Sequence, residues 1–305
     1  MSPTRRSRTT IEWIHCTDRD VSRLHALHAQ FPHLDPRDIR DCLPPQQRPK
    51  TEIRTNSIFS ILLFPRYDRA ERAIRSEEVD IFILPRTIIT VHENGIPVFT
   101  ELETAIADQD PEATAALRNA HTFALLLLER FLLYCSPILV HLQNDIEEQE
   151  REIRAHVQST QLVHIALLRR NVVTFRRAFL PNVVAIERLC TALTNTRDAE
   201  QQHRAARLRD AAREITVLLD DYTSAISDIH AAQQSLVSYH TSRVSTALAV
   251  IGVLTFPISM IAAILAIRAD GTPFVDDPNG FWRIAGAMAA VAVGMLGYFR
   301  VKRWL

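Results

Sequence analysis

The hydrophobic pattern of the chain is dominated by two long apolar runs near its C-terminus. The first run, Val244–Ile267, contains no charged side chain and is bounded by Arg243 and Arg268. As a helix it would rise about 36 Å, which is enough to cross the hydrocarbon core of a bilayer with some tilt. The second run, 284–299, is shorter, and the aromatic pair at 281–282 extends it into the membrane interface. The pattern predicts two membrane-spanning helices, with a buried helical hairpin of a soluble core as the alternative.

The first hundred residues show mixed α/β patterning. Apolar residues recur at helical spacing in 20–31, where Asp20 is placed to cap the helix N-terminus. Short runs rich in β-branched and aromatic residues, typical of strands, occupy 57–67, 79–85 and 87–93. After these runs the strand signals stop and helical periodicity takes over, so we expect an α/β domain followed by helices.

Long helices are predicted for residues 111–180. The stretch 122–142 is apolar enough to be mistaken for a membrane span, but the Glu129–Arg130 pair and Pro137 inside it favour a buried amphipathic helix. Pro181 is expected to break or bend the helical region, because proline removes a backbone hydrogen bond and crowds the preceding turn.

The helical pattern resumes near Glu200 and continues through the first apolar run. A helix of this length would span roughly 100 Å, and it needs lateral partners such as identical helices around an axis. The chain thus divides into a cytoplasmic α/β domain (1–105), long cytoplasmic helices (106–199), a stalk (200–243), a first transmembrane helix (244–267), an outer loop (268–281), a second transmembrane helix (282–301) and a basic tail (302–305).

The charge pattern predicts the orientation in the membrane. The net charge is zero, so composition gives no indication of nucleic-acid binding. The polar N-terminus carries no signal-peptide pattern, which places the large domain in the cytoplasm. The basic tail should also lie inside, while the short loop with Asp270, Asp276 and Asp277 should face outside. We expect a multi-pass protein of the bacterial inner membrane with both termini cytoplasmic.

Residues that could carry chemistry are scattered. The four cysteines show no paired spacing and are interpreted as reduced structural thiols. His230 and His240 lie on the stalk, where several copies could together bind a metal or sense pH, but solvated histidines are favoured because no tight His/Asp/Glu cluster accompanies them. The sequence shows no nucleophile motif, phosphate loop or zinc-finger spacing, so we expect neither an enzyme nor a resident cofactor.

Local sequence resembles the CorA family of metal ion transporters over nearly the whole chain. IEWIHCTDRD is similar to the family's opening strand, VDIFILPRTIITVHENGIP to its central strands, and LVSYHTSRVSTALAVIGVLTFPISMIAAIL, with Pro257, to its stalk-to-pore helix. The outer-loop segment ADGTPFVDDPNGFW resembles the zinc-transporter (ZntB) branch. The resemblance implies an α+β cytoplasmic domain with long helices, continuing into a two-helix transmembrane module and assembled in the lipid bilayer as a funnel-shaped homopentamer.

The resemblance also implies a pore-lining surface on the first transmembrane helix. With the register set by Pro257, the family's pore positions correspond to Ser245, Leu248, Gly252, Phe256, Ser259 and Ala263. Rings of the two large apolar residues in this set are expected to act as hydrophobic gates that open by wetting. Packing of the same residues against neighbouring helices is the alternative.

The chain departs from the family at the outer end of this helix. The family's Gly-Met-Asn signature, or Gly-Val/Ile-Asn in the zinc branch, is replaced by Ala266, Ile267 and Arg268. Five arginines at one mouth would repel divalent cations unless they pair with the acidic loop residues or turn towards lipid headgroups. The resemblance implies a Zn²⁺ or Mg²⁺ channel or transporter with a central pentameric pore. The alternative is a regulated or mechanosensitive pore, or a membrane sensor, that has lost selective divalent transport.

Overall fold

The computed structural model describes residues 10–17, 21–32, 34–93, 96–155, 160–194, 198–265 and 279–302. The chain divides into two compact units, Met1–His230 and Ala231–Leu305. The first unit contains a five-stranded sheet with helices on both faces, and the second contains the two long apolar helical segments.

The sheet of the first unit has the order β1-β5-β4-β3-β2. Its strands are β1 (Glu12–Cys16), β2 (Lys50–Ile53), β3 (Ile58–Asp68), β4 (Ala73–Ile83) and β5 (Thr87–His92). β1 pairs with β5 in parallel, whereas the other three pairings are antiparallel. The carboxyl ends of β1 and β5 therefore meet at the same edge of the sheet.

Both faces of the sheet are buried, which explains the nearly continuous apolar runs of its central strands. Alternate residues of β3 enter two separate cores. Ile58, Leu62 and Phe64 pack on one face, while Phe59 and Ile61 pack on the other. This second face is covered by two helices, α1 (Val21–Gln30) and α2 (Pro36–Asp41).

The first face is covered by longer helices, namely α3 (Pro97–Ala107), α4 (Pro111–Ala116), α5 (Ala120–Ala155) and α6 (Thr160–Leu193). The Phe131 side chain on α5 is fully buried. Its ring stacks on Phe64 with centroids 4.4 Å apart and meets Phe99 edge-on at 5.2 Å. These aromatic contacts join strand, α3 and α5 in one core.

The prediction of a buried amphipathic helix for 122–142 is confirmed, since Leu125–Leu128 in α5 are fully buried. Of the two outcomes expected for Pro181, a break is wrong, because α6 continues through it to Leu193, and a bend stays a prediction. Phe179 and Ile186, on either side of the proline, are fully buried. Their packing outweighs the one backbone hydrogen bond that proline removes.

Two buried asparagines on α6 bind the backbone of the sheet. The Asn182 Oδ1 accepts the Leu63 amide proton at 2.9 Å, and its Nδ2 donates to the Leu63 carbonyl. Asn171 does the same with two different residues, accepting from the Ile74 amide at 3.1 Å and donating to the Arg72 carbonyl at 2.9 Å. β2 pairs with β3 no further than Ile61, so the Asn182 amide takes the place of a missing strand.

The remaining helices are α7 (Ala199–Leu265) and α8 (Gly280–Val301). Up to His230, α7 belongs to the first unit, and one face of this part is buried at helical spacing. Its core residues are Ala205, Leu208, Ala212, Ile215, Leu219, Tyr222, Ile226 and Ile229. The continuous helix predicted from the stalk into the first apolar run is confirmed as far as Leu265.

The other sequence-based elements can be compared in the same way. The strands predicted at 57–67, 79–85 and 87–93 correspond to β3, β4 and β5, and the helix predicted at 20–31 corresponds to α1. Asp20, its proposed cap, lies outside the described residues. β2 and α2 were not predicted as separate elements, because four and six residues are too few to show a clear period.

Candidate functional site

The second unit presents two helical segments whose apolar side chains lack cover within one chain. Among the described residues, α5, α7 and α8 are long and apolar enough to cross a membrane. The most apolar part of α5 is 61% buried, whereas those of α7 and α8 are only 6% buried. α5 is therefore a core helix, and the apolar surfaces of α7 and α8 suit contact with lipid or with other copies of the chain.

The six predicted pore residues lie on one exposed face of α7, which we call the α7 stripe. It consists of Ser245, Leu248, Gly252, Phe256, Ser259 and Ala263, all of which are exposed. Steps of three and four residues keep this set within roughly 80° around the helix. The two large apolar members are 64% (Leu248) and 73% (Phe256) exposed, so their side chains are free to meet those of other copies.

The covered face of α7 lies on the other side of the helix. Val250 is buried, and Leu254, Pro257 and Ile261 are half-buried. At about 100° per residue, this set is centred roughly 180° from the α7 stripe. The stripe and the covered face are therefore distinct surfaces. Such a helix can pack on one side and face an open space on the other.

Small residues leave room for close helix approach. A Cβ atom added to Gly252 on the α7 stripe, or to Gly286, Gly294 or Gly297 on α8, would meet nothing within 4 Å. The glycines are therefore not required by packing within one chain. Small-residue surfaces of this kind allow transmembrane helices of different chains to pack closely.

The ends of α8 have the composition of membrane boundaries. At its beginning, Phe281 and Trp282 are exposed and in edge-to-face contact, and Arg283 follows them. Arg300 lies in its last turn. Aromatic and basic side chains at both ends of an apolar helix anchor it at the two interfaces.

The predicted selectivity positions Ala266, Ile267 and Arg268 lie outside the described residues, as do the outer-loop acids Asp270, Asp276 and Asp277. α7 is described to Leu265, immediately before this segment. The role of the three selectivity positions stays a prediction, and so does that of the loop acids.

The stalk part of α7 is held to the first unit by ion pairs as well as by its buried face. Arg204 binds Glu129 at 2.5 Å and Glu112 at 2.7 Å, which links α7 to α5 and α4. Further along, Arg176 on α6 binds Asp220 at 2.5 Å. Because Arg204 is mostly buried, its bridge between two carboxylates fixes the position of the stalk helix better than an exposed pair would.

The stalk histidines do not form a cation site with the described residues around them. His230 lines a cavity with Arg169 and Arg170 on α6. Two guanidinium groups beside an imidazole oppose the binding of a metal cation. His240 is exposed next to Tyr239. The interpretation of these histidines as solvated helix residues stays a prediction.

A different histidine pair lies at the edge where β1 and β5 end. The Nε2 atoms of His15 and His92 are in direct contact. The Nδ1 atom of His15 is 2.8 Å from the Glu103 carboxylate on α3, and the Nδ1 atom of His92 is 2.6 Å from the Glu93 carbonyl. This cluster was not predicted from the sequence, because its two imidazoles are 77 residues apart and no local motif indicates that they meet.

The cysteines behave as the sequence indicated. All four are buried, and none takes part in a disulfide bond. Burial raises the pKa of the Cys190 thiol to about 12 and raises the pKa of Cys135 as well. Within the described ranges, no group of three or more His, Cys, Asp and Glu side chains is arranged to hold a metal ion.

A family model and known proteins match nearly the whole chain. The family model described as "CorA-like Mg2+ transporter protein" matches residues 9–303. The cobalt/magnesium transport protein CorA of Thermotoga maritima is 22% identical over 300 residues, covering 98% of this chain and 85% of the relative. Both the Thermotoga relative and the family model are named as transporters, not as enzymes.

Solved structures show the same fold. The complete CorA magnesium transporter of Methanocaldococcus jannaschii superimposes with a TM-score of 0.83 at 19% identity, covering 96% of this chain and 91% of the other. The full-length CmaX protein gives 0.74 at 18% identity, with coverage of 96% and 88%. The predicted fold class, a soluble α/β unit with long helices and C-terminal membrane helices, is confirmed. From its match over residues 9–303, the chain belongs to the CorA-like Mg²⁺ transporter family.

Proposed function

We propose that this protein is a channel or transporter for divalent metal cations in the bacterial inner membrane, with Mg²⁺ or Zn²⁺ as the transported ion. The observation that carries the proposal is the α7 stripe, which is exposed, uncharged and opposite the covered face of the same helix. Membership of a family of divalent cation transporters supports it. Both termini are proposed to lie in the cytoplasm.

The pore requires several copies of the chain. A homopentamer places five α7 stripes around one axis, with α8 outside them in contact with lipid. The exposed apolar side chains of α7 support such an assembly, because one chain alone leaves them uncovered. A complex mass or symmetry that differs from five copies would count against this arrangement.

The passing ion is proposed to keep its water shell. Between Arg243 and Arg268 the sequence offers hydroxyls and apolar groups but no carboxylate. A dehydrated Mg²⁺ needs close oxygen ligands in near-octahedral geometry, which this surface does not supply. Leu248 and Phe256 then act as rings that dry or wet the passage.

We further propose that the chain belongs to the ZntB branch. We also propose that the replaced signature changes its ion selectivity. The permanent charge of Arg268 lowers the local concentration of cations if it faces the mouth of the pore. We infer weaker selectivity for divalent cations than an amide ring would give.

Metal-dependent flux into proteoliposomes is the test. Vesicles that contain the purified protein and a Mg²⁺- or Zn²⁺-sensitive dye should fill faster than protein-free vesicles. A well-formed pentamer that passes neither ion would refute the proposal. Tension-activated currents without preference for divalent ions would instead favour the alternative of a mechanosensitive pore.

A further inference from the structure

We propose that His15 and His92 form a binding site for a borderline divalent transition-metal ion, with Zn²⁺ as the best match. The site lies in the first unit, at the carboxyl ends of the parallel strands β1 and β5. It is separate from the α7 stripe, and the proposal does not depend on transport.

The hydrogen-bond partners fix the tautomer of both rings. A backbone carbonyl only accepts hydrogen bonds, so the His92 Nδ1 atom, 2.6 Å from the Glu93 oxygen, must carry a proton. A carboxylate also only accepts, so the His15 Nδ1 atom, 2.8 Å from Glu103, must carry one too. In the neutral rings, both Nε2 atoms then bear lone pairs.

These two lone pairs point at each other, since the Nε2 atoms are in contact. Contact between two unprotonated imidazole nitrogens is stabilised when they share a cation, which can be a proton or a metal ion. The arrangement of the outer nitrogens is the one found around metal-binding histidines, whose second N–H is donated to a carboxylate or a backbone carbonyl. Here one ring has each kind of partner.

The rings are held in place by aromatic neighbours. His92 stacks on Phe99 with ring centroids 3.7 Å apart and an angle of 3° between the planes. His15 stacks on Trp13 at 5.5 Å and 8°, and the Trp13 indole donates to the Thr90 hydroxyl at 3.1 Å. Both imidazoles are therefore positioned before any ligand arrives, which reduces the ordering cost of binding.

The two imidazole rings need to move apart only slightly to accommodate a metal ion between them. Zinc–nitrogen bonds of about 2.0–2.1 Å in a tetrahedral arrangement place two nitrogens about 3.3 Å apart and two ring centroids about 5.2 Å apart. The centroids of His15 and His92 are 4.6 Å apart in the structure. The His15 side chain is 12% exposed and Glu103 is 53% exposed, so water can reach the site and complete the coordination.

The ligand chemistry of this site disfavours Mg²⁺, the ion in the name of the family. Neutral imidazole nitrogen suits Zn²⁺, Cu²⁺ and Ni²⁺, whereas Mg²⁺ demands oxygen ligands. The site would therefore bind transition-metal ions even in the presence of Mg²⁺, which it does not bind.

Zinc titration of the full-length, metal-stripped protein in detergent tests the proposal at neutral pH. Wild type should bind one more zinc ion per chain than His92→Gln, and X-ray absorption should show two imidazole nitrogens per zinc at this site. His203→Gln, which changes an exposed histidine on α7, serves as the matched control and should bind like wild type. Added Mg²⁺ should not displace the zinc.

Glu103→Gln provides a second test that keeps both imidazoles and alters only an exposed side chain. Loss of the outer-shell carboxylate is expected to weaken zinc binding about 10-fold or more. Equal zinc binding by wild type and His92→Gln would overturn the proposal. If His92→Gln does not fold, unchanged affinity in Glu103→Gln would overturn it. Failure of wild type to bind zinc would show that the pair holds only a proton and would also overturn it, whatever the flux assay shows.

Discussion

Asn182 is the side chain through which the fold can be tested most sharply. It is fully buried on α6 and satisfies both the amide and the carbonyl of Leu63. Asn182→Leu keeps the number and branching of the side-chain heavy atoms but leaves these two buried backbone groups without their partner. Each unsatisfied group costs about 1–3 kcal/mol, so we expect a loss of about 2–6 kcal/mol in local stability.

Hydrogen–deuterium exchange of the full chain in detergent measures this loss directly. A decrease of 2 kcal/mol in the opening free energy corresponds to roughly 30-fold faster exchange of the protected amides in β3. Asn182→Asp should be at least as damaging, because a carboxylate cannot donate to the Leu63 carbonyl and its charge would be buried. Val184→Ala, at an exposed position on the same helix, is the control and should change stability by less than about 0.5 kcal/mol.

A change of less than about threefold in the amide exchange of β3 in Asn182→Leu would contradict this role of Asn182. Such a result would mean that water or the rearranged chain satisfies Leu63 at little cost. Equal effects of Asn182→Leu and Val184→Ala would lead to the same conclusion.

Four further predictions concern the pore, the cysteines and one helix cap. Phe256→Ala should increase divalent flux by removing a hydrophobic ring, whereas Ile251→Ala, on another exposed face of α7, should not. Arg268→Asn should raise divalent conductance, most at low ionic strength, and unchanged conductance there would show that Arg268 does not face the ion path. The four buried cysteines should resist alkylation in the native protein and react fully in denaturant. The Arg37 amide lowers the pKa of Asp35 below its ordinary 3.8, so the stabilisation is fully present above that pH and is lost as the pH falls from 3.8 through the lower folded value. As the pH falls below 3.8, Asp35→Asn should therefore lose less thermal stability than wild type.

Elements encoded by local pattern could be predicted from the sequence. α7 was predicted because its apolar run lacks charges, and β3 because its buried faces require a continuous apolar strand. The burial of α5 followed from the charged pair and Pro137 within an otherwise apolar stretch. In each case, neighbours in sequence carry the physical signal.

Features made by distant residues could not be predicted in this way. Asn182 and Leu63 are 119 residues apart, and an asparagine in a helical pattern does not reveal which backbone groups it will meet. The His15–His92 pair depends on the parallel pairing of β1 with β5, which brings residues 77 positions apart into contact. The continuation of α6 through Pro181 was not predicted, because the helix-breaking effect of proline is visible in sequence, while the packing that compensates for it is not.

We infer that the α7 stripe faces the ion path, and the accessibility of introduced cysteines during transport is a direct test of this orientation. The native cysteines are buried, so a new cysteine can be modified selectively. Phe256 and Ile251 are 73% and 61% exposed in one chain, but they lie about 140° apart around the helix. In proteoliposomes, a positively charged methanethiosulfonate reagent should block divalent flux through Phe256→Cys and leave flux through Ile251→Cys unchanged. Block of flux through Ile251→Cys with no effect on flux through Phe256→Cys would show that the α7 stripe does not face the ion path.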